Sequence, residues 1–432
     1  MTKTTLYVVT LLATVATSTA IDLCGGAVDG TTGIIDGGYS HTCARNSLGA
    51  VACWGSNSGG QIAHHSDAPQ RAAAPGGQGL TGTVAIAAGG DNTCALLDNG
   101  GVKCWGRDSN GQLGDGPREG RVVLRNTPVD VKNLTDAVAI ATGHAHTCAV
   151  LSTGGVKCWG WNNIGQLGDN STTDRHTPVA VLALTDAVAI AAGGEHTCAL
   201  LSTGGAKCWG GDSNGQLGDG GSENTHTKWG GGYENTPVDV KNLTDAVAIA
   251  TGGDHTCAVL STGQVKCWGS DSNGQLGDGA SNNTHRDNFN SGYEITPVAV
   301  LGIDNAVAIA AGFRHTCAVL STGGVKCWGS DSNGQLGDGG ANTDKNTPVD
   351  VKNLTDAVAI ATGGEHTCAV LRDGRLKCWG LDDYGQLGDG GANTDKNTPV
   401  DVLNFDACFQ TITAPFYSTS PGIHLKDCDI VL

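Results

Sequence analysis

Fourteen of the 17 cysteines in this chain fall into seven pairs with nine residues between partners: Cys43 and Cys53, Cys94 and Cys104, Cys148 and Cys158, Cys198 and Cys208, Cys257 and Cys267, Cys317 and Cys327, Cys368 and Cys378. Regular thiol pairs could bind zinc or form disulfides. Zinc-ligand cysteines stand only about two to four residues apart. Cysteines at the wider spacing can instead face each other across a short antiparallel hairpin, where opposed Cα atoms lie about 4.5–5.5 Å apart, within disulfide reach. For Cys94 and Cys104 this register sets Leu96 opposite Val102 and leaves Asp98-Asn99-Gly100 to turn the chain. Seven disulfides are expected, each contributing about 2–3 kcal/mol if the cross-link acts by restricting the unfolded chain. Cys24, Cys408 and Cys428 stand outside the pattern. With an odd total, one thiol stays free or pairs outside the chain. Cys24 with Cys408 would tie the chain ends together and Cys408 with Cys428 would fold the tail on itself; we favour the first.

Other recurring side chains form no reactive group. His41, His146, His196, His255, His315 and His366 recur once per unit. They could ring an axis and take up metal, but symmetry would hold the copies apart, so a packing or hydrogen-bonding role is expected and no metal. The segments opening at Asp108, Asp212, Asp271 and Asp331 reach Gly at the fourth position. A calcium loop needs it at the sixth, so these read as turns. Ser152, Ser202, Ser261 and Ser321 sit in repeated Ser-Thr-Gly turns, without a P-loop or a His-Glu-x-x-His motif. No catalytic group and no cofactor is expected. Five Asn-x-Ser/Thr sequons occur, at Asn133, Asn170, Asn242, Asn282 and Asn353. If the host glycosylates, Asn133, Asn242 and Asn353, at one point of three units, would decorate one face.

The elements carrying these residues repeat. First-cysteine intervals run 51, 54, 50, 59, 60 and 51 residues, a period expected of solenoids and propellers. From the second unit on, Gly-Gln-Leu-Gly-Asp is followed by Thr-Pro-Val after 11, 7, 16, 17, 8 or 8 residues. Setting that loop aside leaves 43 residues in every complete interval, so one loop absorbs all insertions. Four short apolar runs per unit, as at 127–131, 137–141, 147–151 and 155–159, are bounded by turn residues and read as strands. Seven such units predict an all-β, seven-bladed β-propeller with four-stranded antiparallel blades, whose closure removes most exposed edges.

Residues 1–20 read as an export signal: Lys3, an apolar run from Leu6 to Ala16, then Ser18-Thr19-Ala20 before the expected cut. Residues 21–403 would form the propeller and 404–432 a tail. The interspersed Thr residues make a membrane anchor a poorer reading, and no other stretch is apolar enough to span a bilayer. The formal charge of −17, with no basic tail or cluster, argues against nucleic acid and anionic membranes as partners. A secreted, disulfide-stapled monomer is expected.

The run Gly194-Glu195-His196-Thr197-Cys198-Ala199, then Lys207-Cys208-Trp209-Gly210 and Gly215-Gln216-Leu217-Gly218, resembles the repeat of the regulator of chromosome condensation family over residues 31–403. The resemblance implies a seven-bladed propeller of the exported, cysteine-containing type. Unit 1 departs from it with Gly60-Gln61-Ile62-Ala63 and Ala68-Pro69-Gln70, and unit 2 has Asn92 in place of His. The family's namesake is a nuclear exchange factor for a small GTPase that also binds chromatin. Guanine-nucleotide exchange is therefore the alternative function, and a structural coat or matrix role a third.

Near-identical units leave function to what differs between them. The long loops of units 4 and 5 carry Lys228, Trp229 and Tyr233, then Arg286, Phe289 and Tyr293, and unit 2 adds Arg118, Arg121 and Arg125. Aromatic and Arg residues are enriched in binding hot spots. These loops are the expected surface for a protein or glycan partner.

Overall fold

The computed structural model describes residues 34–405 apart from 65, 76–79, 118–123, 222–225, 229–230, 280–284 and 287–291. The expected export signal, Cys24, Cys408 and Cys428 lie outside the described residues. The rest forms seven antiparallel sheets at 35–75, 83–130, 137–180, 187–239, 246–299, 306–350 and 357–401, blades 1 to 7. Each takes its four main strands in chain order, with the first innermost, where it packs against its neighbours' first strands.

In blades 3 to 7 the inner strands read Ala-Val-Ala-Ile-Ala, small and β-branched side chains that fit where seven strands converge on one axis, while blade 2 opens on Thr83 and blade 1 has Ile35-Asp36-Gly37. The second strands, such as His196–Leu201, are almost wholly buried. The fourth strands of blades 2 to 7 carry Thr-Pro-Val, where proline, which cannot donate to a ladder, belongs on an outer strand, and blade 1 has Gln70–Pro75 in that place. Each of these strands pairs with the Cys-Trp-Gly strand before it, as Val129 does with Cys104, so a blade ends at Thr-Pro-Val rather than beginning there.

The paired cysteines are direct cross-strand partners, and the pairing expected from their spacing is found in all seven blades. Cys43 is bonded to Cys53, Cys94 to Cys104, Cys148 to Cys158 and Cys198 to Cys208. Cys257 is bonded to Cys267, Cys317 to Cys327 and Cys368 to Cys378. The bridged Cα atoms stand 4.0–4.1 Å apart, closer than the 4.5–5.5 Å of an average opposed pair. Leu96 stands opposite Val102, and Gly100 turns the hairpin at φ +79°. The core is divided into inter-blade clusters. Cys198, Cys208 and Leu217 of blade 4, for instance, pack with Trp268 of blade 5. Trp54 of blade 1 packs with Cys378 and Leu387 of blade 7, so the ring closes through the same contact as every other joint.

Candidate binding face

Between successive blades the sequence builds one repeated latch. The backbone carbonyl of the Gln in Gly-Gln-Leu-Gly accepts two hydrogen bonds from the next blade, one from a Thr hydroxyl and one from the Trp indole. Gln166 accepts from Thr197 and Trp209, both at 2.9 Å, and Gln386 accepts from Thr42 and Trp54 across the closure, also at 2.9 Å. Because each Thr hydroxyl spends its proton on that carbonyl, it can only accept from the histidine beside it. His41, His146, His196, His255, His315 and His366 therefore donate from Nε2 to Thr93, Thr197, Thr256, Thr316, Thr367 and Thr42 at 2.8–2.9 Å. All six imidazoles are fully buried. Burial, with neighbouring imidazoles adding at several sites, holds His41, His146, His196 and His315 down at about 3, and burial alone holds His255 and His366 at about 4. The histidines are thus neutral hydrogen-bonding elements of the joints.

The loops opening at Asp108, Asp212, Asp271 and Asp331 position the Gln carbonyl. Their Oδ1 atoms accept from the backbone N–H of the Leu five residues on, at 2.9–3.0 Å. The Gln side chain closes a second bond two residues back, as Gln112 does with Asn110. Blade 1 keeps the latch despite its altered motif: Gln61 still accepts from Thr93 and Trp105, Ile62 takes the buried Leu position, and Ala63 adopts φ +51°. Blade 2 does not keep the histidine bond. Asn92 is fully buried, and its Oδ1 and Nδ2 both lack a partner. Among the described residues no group of three or more His, Cys, Asp or Glu side chains is placed to hold a metal ion.

Antiparallel order puts the turn between strands one and two and the loop between strands three and four on one face of the ring. The long loops therefore share a face with the glycine turns, such as Gly193-Gly194 and Gly143-His144, that precede the second strands. In blades 4 and 5 the insertions add short fifth strands, His226–Lys228 and His285–Arg286, which place Lys228 and Arg286 at the outer edge. Tyr233 pairs with Gly211 and Tyr293 with Ser270, both half-buried at the root of their loops. Arg125 lies opposite Gly106, 3.8 Å from the Asp115 carboxylate, and is bound into its own blade. Arg118, Arg121, Trp229, Phe289 and Asn282 lie outside the described residues. Asn133, Asn242 and Asn353 are exposed at φ +55° to +56° in the links to the next blade, on the opposite face. Asn170, also exposed, follows a Gln-Leu-Gly-Asp loop on the long-loop face.

A closed seven-bladed ring joined at every blade by Trp and Gln defines an RCC1-like propeller. The RCC1-like domain matches residues 26–291, and regulator of chromosome condensation (RCC1) repeats match 306–335, 357–386 and 322–370. The chain belongs to this family. It is 32% identical to the ultraviolet-B receptor UVR8 of Arabidopsis thaliana over 85% of this chain and 69% of that protein. It is 34% identical to the mitochondrial RCC1 domain-containing protein RUG3 of the same plant, over 71% and 67%. A match of 33% identity to a probable E3 ubiquitin-protein ligase, HERC4 of Rattus norvegicus, covers 74% of this chain and only 30% of that protein. Prp20p of Saccharomyces cerevisiae superposes with TM-score 0.70 at 21% identity, over 83% of this chain and 87% of the other, and shares the fold.

Proposed function

We propose that this chain is a secreted scaffold that holds a protein partner on the face carrying the long loops of blades 4 and 5. The observation that carries the reading is the contrast between a scaffold of constant length, latched alike at every joint, and one loop per blade that varies on a single face. The fifth strands set Lys228 and Arg286 at the outer edge of two neighbouring blades, and half-buried Tyr233 and Tyr293 stand at the roots of those loops. Seven disulfides fit maturation in an oxidising compartment. The described solved relative, Prp20p, is reported with binding properties to Gsp1p and histones, which supports protein rather than glycan as the ligand class. Glycans at Asn133, Asn242 and Asn353 would cover the opposite face, and a glycan at Asn170 would stand on the long-loop face in blade 3, before the loops of blades 4 and 5.

The test is a loop exchange in the secreted full-length chain. Residues 220–235 of blade 4 are replaced by residues 390–397 of blade 7, which keeps Thr-Pro-Val in register. A partner captured from the host's extracellular fluid and then purified is titrated against both forms. Loss of binding with unchanged thermal stability is expected, and retained affinity would overturn the assignment. Mass spectrometry of the mature N-terminus decides the compartment: a start at Ile21 is expected, whereas an intact Met1 in the cytosol would favour guanine-nucleotide exchange.

A further inference from the structure

The seven inner strands enclose an axial cavity of about 670 Å³, walled by Ala and Ile side chains and bordered by the Gly-Gly turns of the long-loop face. One carboxylate interrupts the wall. Asp36 stands opposite Cys43, the register position that Ala87, Ala141, Ala191 and their counterparts fill in the other six blades. Its Oδ1 accepts from the backbone N–H of Gly37 at 3.0 Å, and its Oδ2 from Ala88 of blade 2 at 2.8 Å. Both donors are neutral. Among the described residues no lysine or arginine lines the cavity, and burial pushes the Asp36 carboxyl up to about 7 against the pull of those two hydrogen bonds. The other titratable groups on the lining are Tyr39, His144, Glu195 and Asp254, in the turns at the mouth.

That mouth also favours cations. Burial raises the Glu195 carboxyl, and the neighbouring Asp254 raises it further. Asp254 is itself raised by burial and partly relieved by Arg314. Tyr39 and Phe313 meet edge to face with centroids 6.0 Å apart, and the Arg314 guanidinium lies over the Phe313 ring, 5.4 Å from its centroid, so an aromatic ring at this mouth already holds a cation. A hydrated metal ion would find a single carboxylate and an apolar wall, too few oxygen ligands to replace its water. An anion would be repelled. The volume lies within the usual range for small-molecule sites, roughly 300–1,000 Å³.

We propose that the axial cavity binds a small organic ammonium ion, with its alkyl body against the Ile and Ala wall and its charged head at Asp36. The site is separate from the protein-binding loops and does not depend on them.

The full-length disulfide-bonded chain is titrated calorimetrically at about pH 8 with n-hexylammonium, n-hexanol and hexanoate, where the carboxylate and the amine are both charged. Saturable hexylammonium binding is expected, with the alcohol and the acid weaker by about thirtyfold or more, the lower bound for removing one partner of a buried charge pair. Asp36→Asn should show the same loss. Ala310→Leu, which fills the cavity from blade 6 and leaves Asp36 in place, should weaken binding as well. If Asp36 serves only to bridge blades 1 and 2, Asp36→Asn lowers thermal stability and the wild type shows no ammonium preference. Equal binding of hexanol, no binding of hexylammonium, or unchanged binding by Asp36→Asn overturns the proposal. Should Asp36→Asn fail to fold, undiminished binding by Ala310→Leu overturns it independently.

Discussion

Replacing Asn92 by histidine should strengthen the joint between blades 2 and 3. Six joints carry a histidine donating to the next blade's Thr at 2.8–2.9 Å, whereas Asn92 reaches nothing and buries two polar atoms without partners. The space for an imidazole exists. Gly89 occupies the position that Gly143 holds beside His146, where a Cβ would collide with the ring. In Asn92→His, Nε2 would donate to Thr147, whose own proton is committed to the Gln112 carbonyl at 2.9 Å. Each relieved buried polar atom is worth about 1–3 kcal/mol, the new hydrogen bond included. Two orphaned atoms disappear and one, the new Nδ1, appears, as it does in the other six joints. The net gain is about 1–3 kcal/mol. With an unfolding entropy of about 2.1 cal/mol/K per residue, a ring of this size should gain about 1–4 °C in Tm at pH 7.5. Calorimetry with the disulfides intact measures it. The gain should vanish near pH 5, because the added imidazole would be neutral in the fold and protonated in the unfolded chain. A variant no more stable than wild type at pH 7.5, or one whose gain survives at pH 5, refutes the latch as described.

The wild-type ring should be acid-labile for the same reason. Six histidines whose folded values lie at about 3–4 contribute stability that is complete above their unfolded value of about 6.5 and is lost as pH falls toward the folded values. Denaturation midpoints should drop steeply from pH 6.5 to 4.5, and a flat profile would contradict neutral latches. Asp331 and Asp382 have the opposite sign. Burial, with Asp338 and Asp389 adding repulsion, raises them to about 6, and the Oδ2 of each is buried without a partner. They contribute most at low pH and destabilise the fold as pH rises through about 6. In blade 3 the same place holds Asn162, whose Nδ2 donates to Asp169 and to the Ser171 and Thr173 carbonyls at 3.1–3.2 Å. Asp331→Asn should therefore add about 1–2 kcal/mol at pH 7.5 and little at pH 4, measured by urea titration; no difference at pH 7.5 would be evidence against it. Removing one bridge, as in Cys94→Ser with Cys104→Ser, should cost about 3 kcal/mol by the loop-entropy relation, read from the same titration.

Spacing and period carried much of this structure. Nine residues between cysteines fix a hairpin register, because cross-strand partners move in steps of two, and the constant scaffold length located the variable loop without any fold in hand. The cut between blades was not legible, since a period reads the same from any starting point; pairing of Val129 with Cys104 is needed to set it. The latch was half visible. Recurring His marked a hydrogen-bonding element, but its partner is the Thr of the next unit, 51 to 61 positions away and 324 across the closure, and its anchor is a backbone carbonyl that no side-chain pattern reveals. The signal was the Thr that precedes the first cysteine in every unit. Asp36 was overlooked because unit 1 departs from the repeat in several places, and only the ring shows that this departure falls on the axial cavity.

The latch also accounts for where variation is tolerated. Each Gly-Gln-Leu-Gly segment is tied by the Asp or Asn five residues before its Leu, by the Thr and Trp of the next blade, and, just past its Asp, by a backbone bond to the next blade, as Gly220 has to Ile295, so length varies only between that bond and Thr-Pro-Val. An insertion there disturbs no joint, and loops of 7 to 17 residues sit on one unchanged ring. Every other link is bound closely into the blade, as the Ser-Thr-Gly turns are through Gly154 to Leu151 and Ala187 to Gly154. Selection for new contacts can therefore act on one face only, and that face also carries Tyr39, Phe313, Glu195 and Asp254 around the cavity mouth. A ring whose seven joints share one Gln–Thr–Trp latch confines its variation in loop length to a single face.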